Sequence, residues 1–153
     1  MSSAPERTAR VRLLAARMCL LHGWAPLHEV TLANGRRADI LALRPDGDFV
    51  CIEVKSDLPD FRADQKWHAY REFCDALFFA VDLDFPIAVL PEDCGLIIAA
   101  DTAEIIREAP THKLEAPRRK AVLQRFAWLA AQRLAMTEDP TGAAMLRAAL
   151  LSE

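Results

Sequence analysis

Several common chemistries are missing from this sequence. It has no glycine-rich phosphate loop and no Gly-x-Ser-x-Gly elbow, which excludes nucleoside-triphosphate hydrolysis of the P-loop kind and serine-hydrolase chemistry. Cys19, Cys51, Cys74 and Cys94 are widely spaced, lie in apolar contexts and form no Cys-x-x-Cys pair, so neither a zinc site nor a disulfide framework is signalled. They read as buried thiols in a reducing compartment. His22, His28, His68 and His112 likewise lack metal-ligand spacing. Basic residues do not outnumber acidic ones: 19 Lys and Arg stand against 22 Asp and Glu, a net charge of −3, so any nucleic-acid contact has to come from local patches. No apolar run approaches membrane-spanning length, and the N-terminal Met1 to Arg7 lacks the apolar centre of a signal peptide. A cytoplasmic protein with no membrane partner is expected. At 153 residues the chain reads as one domain, residues 1–153, without repeat, linker or low-complexity tract.

What is present is a pattern of alternating helices and strands. Val11, Leu14, Met18 and Leu21 recur at helical spacing and predict a first helix from about Arg7 to His22, ended by Gly23. Leu27 to Leu32 reads as a strand, turned back at Asn34-Gly35. Arg37 to Leu43 and Phe49 to Lys55 are apolar, β-branched stretches on either side of Pro45-Asp46-Gly47, the signature of a hairpin. Leu58-Pro59-Asp60 opens a second helix with Asp60 as N-cap and Trp67, Tyr70, Phe73 and Cys74 on its inward stripe. Ala76 to Val81 is a fourth strand, expected to run parallel to a meander strand through a right-handed crossover. Asp82 to Asp93 is a surface loop and Gly95 to Ala100 is strand-like; Glu104 to Glu108 is either its hairpin partner or a short helix. Pro117 starts a helix patterned by Val122, Leu123, Phe126, Leu129, Ala130 and Leu134 to about Ala135, and Thr141 to Leu151 forms a last one. The expected class is α/β: a central mixed sheet in the order α-β-β-β-α-β, flanked by helices, with an extra C-terminal helical segment.

The hairpin holds the chemistry. Pro-Asp-Gly suits a type I turn followed by a left-handed glycine, which pairs Arg44 with Asp48 and, by constant register, sets Asp39 opposite Glu53. Like charges opposed on one face of a sheet repel. Lys55, two residues past Glu53, projects from the same face and offsets one of them. Two carboxylates so placed suit Mg²⁺ or Mn²⁺, with water completing the octahedron. The competing reading is a set of solvated ion pairs at strand ends. Ile40 to Leu43 and Val50 to Ile52 argue against it, because strands apolar on both faces are central and charges at their ends sit where burial begins.

At Asp39 and Glu53-Val54-Lys55 the chain resembles the PD-(D/E)XK nuclease superfamily, whose core motif is an Asp on one strand and Glu/Asp-x-Lys on the next; Ala38 stands where the superfamily name has Pro. Asp64-Gln65-Lys66-Trp67 and Tyr70 look like that superfamily's polar helix motif. More narrowly, Arg36-Arg37-Ala38-Asp39, Glu53-Val54-Lys55-Ser56, Asp60 to Trp67, Cys74-Asp75, Phe79 to Asp82, Asp84-Phe85-Pro86, Leu90 to Asp93 and Ala116 to Lys120 are similar to the small MmcB-like DNA repair proteins of bacteria. The resemblance implies a restriction-endonuclease-like core and a metal-dependent nuclease acting on DNA. Asp39, Glu53 and Lys55 would be catalytic, with the Val54 carbonyl joining Asp39 and Glu53 on the metal. It also implies a homodimer, since small nucleases of this fold often work as one. The alternative is a non-catalytic DNA-binding module that keeps the fold.

In such chemistry Lys55 stands beside the attacking water, and Arg36 and Arg37, in the turn next to the site, suit a nucleic-acid backbone. Gln65 and Lys66 fall near a helix N-terminus, where dipole and cation together favour a phosphate; a solvated helix face is the other reading. Tyr70 reads as core with its hydroxyl at the polar rim. Glu6 and Glu29 either add a carboxylate to the site or are surface charges. Arg118-Arg119-Lys120 reads as a solvated run, with a phosphate patch as the alternative. Trp24, Trp67 and Trp128 read as core, although an exposed tryptophan would stack a base.

Overall fold

One six-stranded mixed sheet orders the molecule, and the computed structural model describes residues 2–63 and 67–152. Strands β1 (Ala25–Thr31), β2 (Arg37–Leu43) and β3 (Phe49–Val54) form an antiparallel meander. β4 (Ala76–Asp82) and β5 (Gly95–Ala99) add in parallel, and β6 (Ala103–Arg107) returns antiparallel. The expected parallel partner of β4 is therefore β3. Of the Glu104 to Glu108 stretch, Glu104 to Arg107 form the hairpin partner of β5 as part of Ala103–Arg107, and Glu108 lies just past the strand.

The hairpin register follows the turn chemistry. Gly47 takes φ 93, the left-handed step that closes a three-residue loop, and the Arg44 amide donates to the Asp48 carbonyl at 2.9 Å. Leu43 then pairs with Phe49, Leu41 with Cys51 and Ile40 with Ile52. One residue further lie Asp39 and Glu53, and there the strand pairing stops.

Both faces of the sheet are covered. Helix α1 (Ala4–Leu21) lays Val11, Leu14 and Met18 on one face, against Ile40, Ile52 and Phe78. A 3₁₀ helix (Trp67–Phe73) and α3 (Ala116–Glu138) cover the other, where Tyr70, Phe73, Val122 and Phe126 meet Phe49 and Phe79. Every residue of β3 is buried, which explains its unbroken apolar run. Each large aliphatic or aromatic side chain so buried contributes about 1.5–3 kcal/mol. Gly95 is needed opposite Phe78, because a Cβ there would fall on the Phe78 ring.

Four expectations change. Helix α1 begins at Ala4, not Arg7, since Ser3 and Glu6 form a reciprocal capping box with Pro5 in the first turn. The second helix is two pieces: α2 (Leu58–Ala63) and the 3₁₀ helix. Asp60 lies inside α2 rather than capping it, as the Phe61 amide already reaches the Asp57 carbonyl at 3.2 Å. The spacing of Trp67, Tyr70 and Phe73, three residues each, is the period of a 3₁₀ helix, so all three still face inward. Trp128 is not core but 54% exposed, because α3 turns the face carrying Val122, Phe126 and Leu129 to the sheet and Trp128 lies off that face. Helix α4 (Pro140–Leu151) follows and buries only Ala143. All four cysteines are buried and unpaired as disulfides, as their contexts suggested. Among the described residues no helix is long and apolar enough to cross a membrane.

Candidate metal and phosphate site

Asp39 and Glu53 sit where regular pairing gives way on both sides of β2. Between β1 and β2 the register runs from His28 with Ile40 to Val30 with Ala38, skipping Glu29 and Asp39. Glu29 there adopts φ 50, a left-handed conformation that non-glycine residues rarely take. Toward β3 the carboxylates replace the missing ladder bonds. The Asp39 amide donates to Glu53 Oε1 at 3.2 Å, and the Val54 amide donates to Asp39 Oδ2 at 2.8 Å. The opposed pair is thus held by two reciprocal backbone bonds.

Burial makes this arrangement costly for two anions. Glu53 is 2% exposed, and burial, followed by the charge of Asp39, pushes its carboxyl up to about 9. Burial also raises Asp39, against the opposing pull of the Val54 amide. At neutral pH Glu53 therefore keeps its proton in the absence of another cation. Lys55 is 4% exposed, its amide donates to the Ala80 carbonyl at 3.0 Å, and its ammonium charge lowers both carboxyls. Cys51 Sγ donates to Glu53 Oε1 at 3.7 Å from below.

A cavity of about 710 Å³ opens over these groups between α1 and the 3₁₀ helix, and Asp39, Glu53, Val54 and Lys55 all line it. Arg36, on the β1–β2 turn, and Arg37, at the start of β2, stand at its rim. The buried Tyr70 also lines it, its hydroxyl donating to the Arg37 carbonyl at 3.3 Å. Gln65 and Lys66 lie outside the described residues. Among the described residues no three His, Cys, Asp or Glu side chains are placed to hold one metal ion together. The donor set is instead two carboxylates, each with one oxygen tied to an amide and the other uncommitted to the backbone, next to the Val54 peptide. That set of hard oxygens suits a small divalent cation that keeps most of its water, as Mg²⁺ does.

Glu6 does not join the site, because its carboxylate accepts from the Ser3 amide at 2.8 Å. Glu29 approaches it indirectly: its Oε1 accepts from Arg12 Nη1 at 2.9 Å, and Arg12 lines the cavity and lowers Asp39. Arg12 was not singled out by sequence. The signal was available: Pro5, Thr8, Ala9 and Arg12 recur at helical spacing as a small, polar face of α1 with the cavity above it. Arg119, by contrast, is structural. It makes two bonds to Asp75, at 2.6 and 3.0 Å, and one to the Gly47 carbonyl at 2.8 Å.

A family model described as DNA repair protein MmcB-like matches residues 2–141. A solved structure, the SPO1766 protein of unknown function from Silicibacter pomeroyi, superposes with a TM-score of 0.85 at 44% identity, covering 89% of this chain and 94% of that one. No curated protein matches the chain.

Proposed function

Because the chain belongs to the MmcB-like DNA repair family, we propose that it is a cytoplasmic, metal-dependent deoxyribonuclease of PD-(D/E)XK type acting in DNA repair. The observation that carries this reading is the opposed pair of half-buried Asp39 and buried Glu53, with buried Lys55 beside it. A binding scaffold gains nothing from a costly carboxyl pair set in a cavity meant for DNA.

In this reading Asp39, Glu53 and the Val54 carbonyl hold Mg²⁺ or Mn²⁺. When bound, the cation polarises a phosphate oxygen and makes a water acidic enough to attack at neutral pH. The chain's own groups do the rest. Asp39 and Glu53 are pre-oriented by the Val54 and Asp39 amides, so no reorganisation is needed when the site loads. Glu53 gives up its proton on loading. Lys55, in the same cavity, positions the attacking water and stabilises the negative charge that develops on the phosphate. Arg12, fixed by Glu29, adds a second cation on the α1 side. Arg36 and Arg37 take the backbone on either side, with Gln65 and Lys66 proposed for the same task. The same reading carries an expected homodimer, which sedimentation velocity tests.

The test is a cleavage panel of single-stranded, branched, damaged and duplex DNA with Mg²⁺ or Mn²⁺. Wild type should cut at least one substrate and Lys55→Ala none, while affinity for DNA falls only slightly. Equal cleavage by both would point to a contaminant or another site. Binding without cleavage by either would replace this reading with the non-catalytic DNA-binding module.

A further inference from the structure

Resting on that reading, we propose that the cavity between β1 and α3 is a second subsite for the nucleic acid, one that seats an unpaired nucleotide next to the carboxylate site. This cavity holds about 570 Å³. Val30, Leu32, Phe73 and Val122 form its apolar wall, Arg118 and Arg125 stand at its mouth, and among the described residues no carboxylate lines it. Its ligand is therefore an anion with an apolar face.

The two arginines are held ready rather than neutralised. Arg118 lies over the Phe73 ring at 4.4 Å, and its hydrogen bond among the described residues is to the Glu72 carbonyl, at 3.5 Å. Arg125 lies over the half-exposed Trp128 at 5.6 Å, with a 3.4 Å bond to the Thr31 carbonyl. Among the described residues neither has a carboxylate partner, and the same holds for Arg36 and Arg37 at the first cavity. Arg12, Arg71, Lys113 and Arg119 all have one. Arg10, Arg107 and Arg133 elsewhere bond to carbonyls instead, so what sets these four apart is their place on the two cavities, where in a chain of net charge −3 they offer a track for phosphates.

The cavities are neighbours. One tight turn separates them, closed by the Leu32 amide on the Arg36 carbonyl at 2.7 Å, with Arg36 on the first cavity and Leu32 on the second. On the 3₁₀ helix Tyr70 lines the first and Phe73 the second, three residues or roughly 6 Å apart along the axis. A strand whose phosphate reaches Arg36 and Arg37 can therefore place a following base against the apolar wall. The cavity admits one base and not a duplex, which makes the ligand an unpaired flank or single strand, held by apolar contact and cations without sequence preference. An acidic peptide would satisfy Arg118 and Arg125 but has no cause to continue toward a cavity floored by carboxylates.

Fluorescence anisotropy in EDTA, which stops cleavage, tests this with a labelled single-stranded oligonucleotide and a blunt duplex. Arg125→Ala removes one cation; Ala121→Glu puts a carboxylate at the mouth from an exposed helix position that lines the cavity. Each should bind the single strand about tenfold more weakly while duplex affinity stays the same. Arg125→Ala should also flatten the salt dependence for the single strand by about 0.7 in slope. Unchanged single-strand binding by both variants overturns the subsite, and so does a wild type that binds no single strand. An acidic peptide that binds wild type and is not displaced by the oligonucleotide would assign the cavity to a protein partner and overturn it as well. Cleavage that persists with unchanged binding would leave the proposed activity standing alone. Weakened binding by the variants with no cleavage by wild type would leave the subsite and remove the activity.

Discussion

At Glu53 burial and the Asp39 charge act in one direction, and this sets how stability depends on pH. Its carboxyl titrates at about 9 in the folded protein against an ordinary value of 4.5. Below 4.5 both states hold the proton; above it the unfolded chain releases a proton that the native protein keeps. The stability from this group is therefore present at low pH and lost as pH rises toward 9, and the shift of Asp39 has the same sign. We predict that the unfolding midpoint, measured in EDTA, declines over that window. Asp39→Asn removes the second cause of the Glu53 shift, so its decline should be shallower and its midpoint in alkaline buffer higher. Parallel curves would mean that the two carboxyls do not interact. A loss of several degrees at neutral pH would make Asp39 a structural acceptor for the Val54 amide.

Among elements, Asp75 joins parts of the fold that strand pairing leaves apart. Its carboxylate has no exposed surface, yet it accepts from the Phe49 amide at 2.7 Å, the Leu114 amide at 2.8 Å and both Nη groups of Arg119. Burial alone would raise it, but Arg119 and these amides hold it below the usual carboxylate range. Arg119→Ala leaves that charge buried and unpaired, and urea unfolding should show a loss of about 3 kcal/mol. Because the folded value is depressed, the stabilisation disappears as pH falls through it, so wild type and variant should converge in acid. A loss under about 1 kcal/mol would reduce Arg119 to a surface contact. Gly95→Ala should cost about 1–3 kcal/mol, through the Phe78 ring that must move. An unchanged urea midpoint would show that the ring has room. The hairpin could be read from sequence because turn chemistry fixes register locally. The roles of Asp75 and Arg119 could not, because they join residues 44 positions apart. The 3₁₀ geometry of Trp67–Phe73 was present in the spacing, but a three-residue period resembles a helical stripe when only its inward residues are counted.

For the whole molecule, the sheet and its two cores are complete without α4, which packs against α3 and leaves Met145, Leu150 and Leu151 exposed. Ending the chain after Glu138 should therefore leave the unfolding midpoint nearly unchanged; a fall of many degrees would show that α4 belongs to the cooperative unit. The sequence made α4 legible as a helix but not as a peripheral one, since its apolar pattern is that of a buried element. The site, in contrast, depends on the whole sheet: β2 and β3 must be central for Glu53, opposite Asp39, to be dry enough to keep its proton. The central claim is that this pair exists to exchange that proton for a divalent cation. Calorimetric titration of Mn²⁺ near neutral pH, in two buffers of different ionisation enthalpy, measures this directly. The account predicts one ion per chain with net proton release, and loss of both in Asp39→Asn. Absence of binding, or binding without proton release that survives Asp39→Asn, would contradict it.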